Sequence, residues 1–524
     1  MKRAIRLIMI VTLLSLSVTE RPVAQSVRRA GAVAGATGSQ PAVSARSKPA
    51  PIHSAAQLQK AITQIIEQPK FATTRWGILI ESLDRKRVLF SRHATQLFVP
   101  ASNMKLYTTA AALVHLGPSY RFRTSVYGAS SPNSQGIMTG DLILYGRGDP
   151  NLSSRAGLGG TLTPLDYLAE QLYKAGLREI RGDLVGDESY FAGPPLGVAW
   201  EWDDLQWSYG SEVSALSVDD NSIALTILPG HAPGQPARVF VSPESAYVTI
   251  INQAVTTAAD TPQQIHIRRG LEDNRLEIWG TIPTQSEGYR GYIAVHKPAL
   301  YAATLFAESL ARRGIKLTGR IRHADARMRQ HDPLNLSTLK ELAFVESIPL
   351  AEAVRIVNKI SQNLHTELLL RTIGAVVAQE GTAEKGITLI LELLKTANAR
   401  RQGIVLTDGS GLSRHNLITP ATTVDLLRYM YQQPHREVYI ESLPIASIDG
   451  TLEHRMRGTP AQDNVRAKTG TLRYTSTLSG YVTTARGERL VFSIMANDHT
   501  GPITEVTAAA NDICALLARF GGSS

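Results

Sequence analysis

The sequence predicts an α/β (α+β) protein in which one domain is split by a long β-rich insertion. Helix-type spacing of apolar residues occurs near both ends of the folded part. Between residues 120 and about 330 the pattern changes to short β-like runs separated by Gly and Pro. Hydrophobic residues make up 43% of the 524 residues and charged residues 19%, so the chain has enough apolar side chains for a sizeable core.

Residues 1–24 have the three parts of an export signal. A positive start (Lys2, Arg3, Arg6) precedes the apolar run 7–16, which is too short for the roughly 20 residues that span a bilayer. The alternative is a buried N-terminal helix. Residues 25–51 are rich in Ala, Gly, Ser, Pro and Arg, and we predict a flexible linker there. We therefore expect an exported protein with no integral membrane span.

The charge distribution argues against a nucleic-acid partner. The formal charge is +10, but residues 1–50 carry eight basic residues and one acidic residue. Little positive charge is therefore left for the folded part. The single cysteine, Cys514, excludes an internal disulfide and is predicted to be a core residue. The 13 histidines show no metal-ligand spacing, so we expect neither a metal site nor a cofactor.

Each predicted element depends on its spacing and its end signals. Helices are supported by apolar residues three or four positions apart, as in 102–116, where Gly117 and Pro118 follow as a stop signal. The predicted helices are 55–67, 102–116, 300–313, 349–378, 383–399 and 503–520. Strands are supported by β-branched and aromatic runs between turn residues. The predicted strands are 76–82, 87–91, 141–145, 247–251, 275–279, 478–484 and 489–496.

The first chemical motif is Ser-x-x-Lys, formed by Ser102 and Lys105 where a helix is predicted to begin. Residues three apart share a helix face, so Lys105 can reach the hydroxyl of Ser102. A serine hydroxyl is a poor nucleophile until a base takes its proton, and a buried lysine near other cations can act as that base. The motif alone is common. The alternative is an N-cap serine beside a surface lysine.

The second motif, Ser361-Gln362-Asn363, lies between two helical runs. A second hydroxyl there could relay a proton to the leaving group. The Asn363 amide could hold a substrate carbonyl or the lysine. A helix-capping loop is the alternative.

The third motif, Lys468-Thr469-Gly470-Thr471, precedes the C-terminal hairpin on a predicted edge strand. Lys468 and Thr469 could bind a substrate carboxylate, and Gly470 would leave room for the substrate backbone. The N–H of Thr471 could form an oxyanion hole with that of Ser102. The alternative is a surface strand that ends in a glycine turn.

The ordered set of three motifs resembles that of the penicillin-binding proteins and serine β-lactamases. Four further runs resemble the low-molecular-mass class C penicillin-binding proteins, the D-alanyl-D-alanine carboxypeptidase/endopeptidase family of the penicillin-binding protein 4 type. These runs are 146–150 (GRGDP), 202–205 (WDDL), 408–416 (DGSGLSRHN) and 443–451 (LPIASIDGT). The resemblance covers the chain from about residue 55 to 520, and DGSGLSRHN is its most specific piece.

The resemblance implies a transpeptidase-type domain formed by residues 52–118 and 340–524. Residues 119–339 would be an inserted module that family members fold as two smaller, mainly β subdomains. It also implies cleavage of terminal D-Ala-D-Ala bonds and of cross-links between peptidoglycan stem peptides, and acylation by β-lactam antibiotics. The implied location is the periplasm or bacterial cell envelope. The oligomeric state stays open.

Site residues can be carried over from the family one at a time. Ser102 is the implied acylated nucleophile and Lys105 its base. Ser361 and Asn363 are implied to shuttle a proton and to position the substrate. Lys468, with Thr469, is implied to hold the terminal carboxylate.

The same resemblance implies that Asp204 and Arg414 bind the diamino-acid side chain of the stem peptide. Two positions depart from the family pattern. Gln362 stands where Asp is usual, and Arg473 stands where some relatives carry a substrate-contacting glutamine. The second departure bears on substrate preference and not on the reaction.

Two other functions were weighed. A β-lactamase needs a dedicated deacylating base, and the sequence has no Glu-x-x-Leu-Asn run of the class A kind. A non-catalytic β-lactam or peptidoglycan sensor would not need all three motifs intact. Both are therefore alternatives to the peptidase.

Overall fold

The computed structural model describes residues 52–152 and 163–522. The predicted export signal (1–24) and linker (25–51) lie outside the described residues. Within them, helices and several sheets confirm the predicted α/β class. No helix in this part of the chain has both the length and the apolar content to cross a membrane.

The elements are numbered in chain order. The described helices are α1 (Ala55–Ile66), α2 (Met104–Leu116), α3 (Pro164–Lys174), α4 (Pro298–Arg312), α5 (Ala326–His331), α6 (Leu350–Ile360), α7 (Asn363–Ala378), α8 (Ala383–Thr396), α9 (Pro420–Tyr431), α10 (Arg436–Ser442) and α11 (Ile503–Arg519). The described strands are β1 (Arg75–Ser82), β2 (Arg87–Arg92), β3 (Arg123–Gly128), β4 (Ile137–Thr139), β5 (Leu142–Tyr145), β6 (Glu179–Arg181), β7 (Leu184–Asp187), β8 (Ser222–Leu228), β9 (Arg238–Ser242), β10 (Thr249–Thr257), β11 (Gln264–Arg269), β12 (Arg275–Pro283), β13 (Tyr289–Ala294), β14 (Lys316–Leu317), β15 (Ile321–Ala324), β16 (Lys340–Glu346), β17 (Arg466–Leu472), β18 (Thr475–Thr483) and β19 (Arg489–Asn497).

The sheet that carries the third motif is assembled from both ends of the described chain. Its strand order is β17-β18-β19-β1-β2, and neighbouring strands are antiparallel. Alternate residues of a strand face opposite sides. Ile78 and Ile80 of β1 accordingly pack with α1 and α11, whereas Leu79 packs with α2 and α7 on the other face. Edge strand β17 pairs at its first residues with the segment 444–446, and it also contacts the short turn 101–103 that precedes α2.

The residues between these halves form four further sheets. One has the order β15-β7-β5-β3-β16, and the others are three-stranded. Helices α3 and α4 pack on them around a second core that includes Leu168, Phe306 and Leu184. Strand β16 pairs with β3, so it belongs to the sheet of this intervening segment. The predicted boundary at residue 340 therefore falls before a strand that pairs with the insertion, and we propose 119–346 for the inserted segment.

Helices α3 and α9 were missed by the sequence analysis. Each begins with a Thr-Pro pair in which the threonine is the N-cap: Thr163 accepts the N–H of Asp166, and Thr419 accepts that of Thr422. Proline at the first helical position costs no hydrogen bond, so this pair is a usable helix-start signal. Cys514 is fully buried on α11, as predicted.

Candidate active site

Ser102 lies in the short 3₁₀ turn Ala101–Asn103 that leads directly into α2. This turn places its half-buried hydroxyl 2.8 Å from Nζ of Lys105, one turn further along the chain. The Lys105 side chain is fully buried. A pair of residues from one helix start therefore brings an accessible hydroxyl and a buried amine into contact.

Three hydrogen-bonding groups surround Lys105, and a neutral amine can satisfy all of them. Its Nζ donates to Oδ1 of Asn363 at 2.6 Å and to the carbonyl of Ser410 at 2.7 Å. The Asn363 amide is held in this orientation because its Nδ2 donates to the carbonyl of Tyr209 at 2.8 Å. A neutral amine has two N–H donors, and these two acceptors take both. Its lone pair is then left for Ser102.

The electrostatics agree with this assignment. Burial lowers the pKa of Lys105 from 10.5 to about 7, although Asp408 and Glu367 oppose the shift. A pKa near neutrality suits a general base, because the unprotonated form is available and still basic.

Ser361 and Lys468 form a second hydroxyl–amine pair. Nζ of Lys468 donates to Oγ of Ser361 at 2.9 Å and to the carbonyl of Thr469 at 2.9 Å. Ser361 links α6 to α7 with φ 63° and ψ 43°, a left-handed conformation that is costly for a residue with a Cβ. Burial, reinforced by the nearby Lys105, holds the pKa of Lys468 well below its usual value.

Strand β17 contributes the remaining residues of the third motif. Thr469 and Thr451 share a hydrogen bond between their Oγ1 atoms at 2.7 Å, and Thr471 is exposed. Gly470 has a further steric role, in addition to the predicted room for the substrate backbone. A Cβ there would lie 2.9 Å from the Pro100 oxygen and 2.9 Å from the Ser102 nitrogen, so glycine lets β17 approach the turn that carries Ser102.

Behind the lysine, two buried carboxylates organise the loop 408–416. Asp408 accepts the N–H of Gly411 at 2.8 Å and of Ser413 at 2.7 Å. Glu367 accepts the N–H of Ser410 at 2.7 Å. Burial, and next the adjacent Asp408, raise the pKa of Glu367 to about 7.

Arg414 of the 408–416 loop and Asp204 of the intervening segment are near enough for the guanidinium to lower the pKa of the carboxyl group. Nε of Arg414 is 2.6 Å from Oε1 of Glu201, and an Nη atom donates to the Arg473 carbonyl at 3.1 Å. Arg414 thus bridges the intervening segment and the β17–β18 turn. Burial raises the pKa of Asp204, while a hydrogen bond from Tyr209 lowers it. The ion pair of Arg414 with Glu201 was not foreseen.

The structure brings all three motifs to one site, but sequence reasoning missed part of the surroundings. Glu367, Tyr209 and Trp200 were not singled out. Only Glu367 has a local signal, since it follows Asn363 by four positions and therefore shares its helix face. Trp200 donates from its indole to Asp408 at 3.0 Å, a contact across more than two hundred residues.

Within residues 52–152 and 163–522, no cluster of His, Cys, Asp and Glu could hold a metal ion.

Comparisons with known proteins agree along nearly the whole described chain. The family model described as D-Ala-D-Ala carboxypeptidase 3 (S13) matches residues 58–518. A D-alanyl-D-alanine carboxypeptidase of Actinomadura sp. (strain R39) is 35% identical over 477 residues, which cover 89% of this chain and 85% of the relative. The D-alanyl-D-alanine carboxypeptidase DacB of Haemophilus influenzae is 27% identical over 439 residues, or 83% and 88% of the two chains. The crystal structure of penicillin binding protein 4 from H. influenzae matches with a TM-score of 0.76 at 25% identity, over 88% of this chain and 99% of that one.

Proposed function

The chain belongs to the D-Ala-D-Ala carboxypeptidase 3 (S13) family, the low-molecular-mass class C penicillin-binding proteins of the penicillin-binding protein 4 type, and from this membership we propose that it cleaves peptidoglycan stem peptides through an acyl-enzyme on Ser102. It is a serine peptidase. One observation carries the proposed role of Ser102: its Oγ lies 2.8 Å from Lys105, whose two remaining donor directions are occupied by acceptors.

Acylation begins when Lys105 accepts the hydroxyl proton of Ser102. Oγ then bonds to the carbonyl carbon of the penultimate D-Ala. The N–H groups of Ser102 and Thr471 bind the oxyanion that develops there. The C–N bond breaks, the terminal D-Ala leaves with a proton passed through Ser361, and water hydrolyses the ester. No metal or cofactor takes part in this proposal.

Recognition of the substrate would use the other residues of the site. Lys468 and Thr469 bind the terminal carboxylate of the stem peptide. Asp204 and Arg414 bind its diamino-acid side chain, and the Glu201 contact would hold the Arg414 guanidinium in place. This part of the proposal is supported by the contact of Lys468 with Ser361, by the interaction of Arg414 with Asp204 and by the family resemblance.

We propose two finer properties of the same site. Cross-linked stem peptides are cleaved by the same acylation, with the partner stem as leaving group. β-Lactams acylate Ser102 and inhibit the enzyme, because their leaving group stays tethered and blocks the approach of water. A β-lactamase would release the opened drug rapidly, and a sensor would stay acylated without turning over any peptide.

The decisive experiment incubates the purified protein with monomeric and with cross-linked muropeptides and measures the products by mass spectrometry. We expect the monomer to lose one alanine and the cross-linked dimer to yield monomers. Ser102→Ala is the matched control and should release neither product. Alanine release by the control would refute the assignment of the nucleophile. Rapid penicillin turnover without peptide cleavage would indicate a β-lactamase.

Domain limits and location follow as proposals. We propose a peptidase domain of residues 52–118 and 347–524 and an exported protein of the bacterial cell envelope. The leader composition supports export. Fractionation of cells that make the full chain should place the processed protein outside the cytoplasm.

A further inference from the structure

Glu367 is a carboxylate buried directly behind the nucleophile, and the reaction described above gives it no part. It lies on α7, one turn after Asn363. Its Oε1 accepts the N–H of Ser410 at 2.7 Å and that of Gly409 at 3.0 Å. Both hydrogen bonds tie the 409–410 backbone to α7, and they are strongest when the carboxylate is ionised.

The residue held in this way, Ser410, also contacts the base through its other backbone group, the carbonyl of the 410–411 peptide, whose N–H is bound by Asp408. Ser410 gives its N–H to Glu367 and its carbonyl to Nζ of Lys105, at 2.7 Å in each case. We propose that Glu367 is a positioning residue, which fixes the Ser410 carbonyl against Lys105 and thereby aims the lone pair of the neutral lysine at Ser102. This inference rests on the proposed function.

The position of Glu367 also gives it an electrostatic effect on the base. The charged groups that act on Lys105 are Asp408 and Glu367, which favour its ammonium form, and Lys105 in turn lowers the pKa of the nearby Lys468. Around Glu367 itself are Asp408 on the loop and Arg371 one turn along α7. Removing the negative charge of Glu367 therefore lowers the pKa of Lys105 further. Two substitutions of Glu367 can then separate the effect of its hydrogen bonds from the effect of its charge.

Glu367→Gln keeps an oxygen where Oε1 accepts both N–H groups, but it removes the charge. We expect its maximal acylation rate to stay within about threefold of that of the unaltered protein, while the pH midpoint moves down by at least about 0.5 unit. Glu367→Met has nearly the same shape and no acceptor. We expect its maximal rate to fall about 100-fold, because displacement of a reacting group by about 1 Å costs that much. The measurement is the second-order rate of acylation by a fluorescent penicillin from pH 5 to pH 9.

Glu384→Gln is the matched control, because Glu384 is an exposed carboxylate lining the same cavity as Glu367. It should change neither the maximal rate nor the pH midpoint. The inference is overturned if Glu367→Gln keeps the unaltered midpoint, or if folded Glu367→Met acylates at the unaltered rate. If Glu367→Met does not fold, the midpoint of Glu367→Gln decides. Absence of acylation in the unaltered protein would instead refute the proposed function.

Discussion

At the scale of single residues, the site depends on two buried lysines whose hydrogen-bond partners differ. Lys105 faces one hydroxyl and two acceptors without hydrogens, so the neutral form satisfies every contact. Lys468 faces Ser361 and its own strand, at the side where the substrate carboxylate is proposed to bind. An incoming carboxylate would favour the ammonium form of Lys468. The two amines are thus suited to opposite charge states, one as a base and the other as an anion site.

The first prediction concerns the pH dependence of acylation. Only neutral Lys105 can accept the proton of Ser102, and its pKa is about 7. The rate constant for acylation by penicillin should therefore rise with pH and reach half its maximum near pH 7. Stopped-flow or gel-based acylation rates from pH 5 to pH 9 test this. A midpoint near 10, the value for an ordinary lysine, would contradict the burial argument.

The second prediction separates the hydroxyl of Ser361 from its backbone strain. Ser361→Ala and Ser361→Gly both remove the partner of Lys468, so each should lower peptide turnover by about 100-fold or more. The left-handed conformation favours glycine, so Ser361→Gly should be more stable than Ser361→Ala by about 1 kcal/mol. Urea unfolding and alanine release measure the two effects. Turnover that recovers in the glycine variant would show that backbone geometry, and not the hydroxyl, limits the reaction.

At the scale of elements, the site is formed by the close approach of β17 to the 3₁₀ turn before α2. The third prediction concerns Gly470→Ala, whose Cβ would meet Thr477 and the backbone of Pro100 and Ser102. The strand must move away from the nucleophile, and we expect acylation to slow by at least about 10-fold. Gly501→Ala is the control, since its Cβ would meet no atom within 4 Å. Equal acylation rates in both variants would refute the close-approach argument.

A second element, the loop after β5, contains a carboxyl group that burial makes costly to ionise. Burial raises the pKa of Asp149 from 3.8 to about 7, although the N–H of Asn151 stabilises the charge from 2.8 Å. Between those pH values the folded state binds more protons than the unfolded state. The free energy of unfolding therefore decreases as pH rises from about 4 to about 7, where Asp149 ionises more readily in the unfolded chain.

The fourth prediction is that Asp149→Asn removes this pH dependence. The amide oxygen can still accept the N–H of Asn151, so the loop should keep its shape. We expect the variant to be more stable than the unaltered protein by about 4 kcal/mol at pH 8, with little difference at pH 4. Urea denaturation at both pH values measures this. If the stability difference between the two proteins is the same at pH 4 and pH 8, ionisation of Asp149 is not its cause.

The elements also show what a single sequence can predict. The first helix was predicted from its apolar spacing, and the structure adds a capping box of Ser54 and Gln57 at its start, which is a purely local signal. The three motifs were found because each is short and their order is distinctive. The contact of Arg414 with Glu201 spans 213 positions of the sequence, so no local sequence pattern predicts it. Gly470 was identified from the sequence as part of the third motif. The atoms that a Cβ would meet there could not be predicted, because they belong to Pro100, Ser102 and Thr477, which are distant or on another strand.

At the scale of the whole molecule, the intervening segment packs against α7 and the loop 408–416. Tyr209 accepts a hydrogen bond from Asn363, and Trp200 donates one to Asp408. His365 of α7 lies 2.8 Å from Asp220, with both side chains buried. The first of these contacts orients Asn363, which in turn contacts Lys105. The inserted residues therefore complete the active site, and a peptidase domain without them would lack the partner that fixes Asn363.

The last prediction tests whether the two parts unfold together. Arg371 of α7 is buried and donates to the carbonyls of Ala192 at 3.0 Å and Pro194 at 2.5 Å. Arg371→Met leaves both buried carbonyls without these donors, which costs about 1–3 kcal/mol for each group. Scanning calorimetry should show one transition for the unaltered protein and for Arg355→Met, a control on the exposed face of α6, and two transitions for Arg371→Met. Two transitions in the unaltered protein would mean that the inserted segment and the peptidase domain unfold independently. The insertion would then affect Lys105 only through the contact of Tyr209 with Asn363.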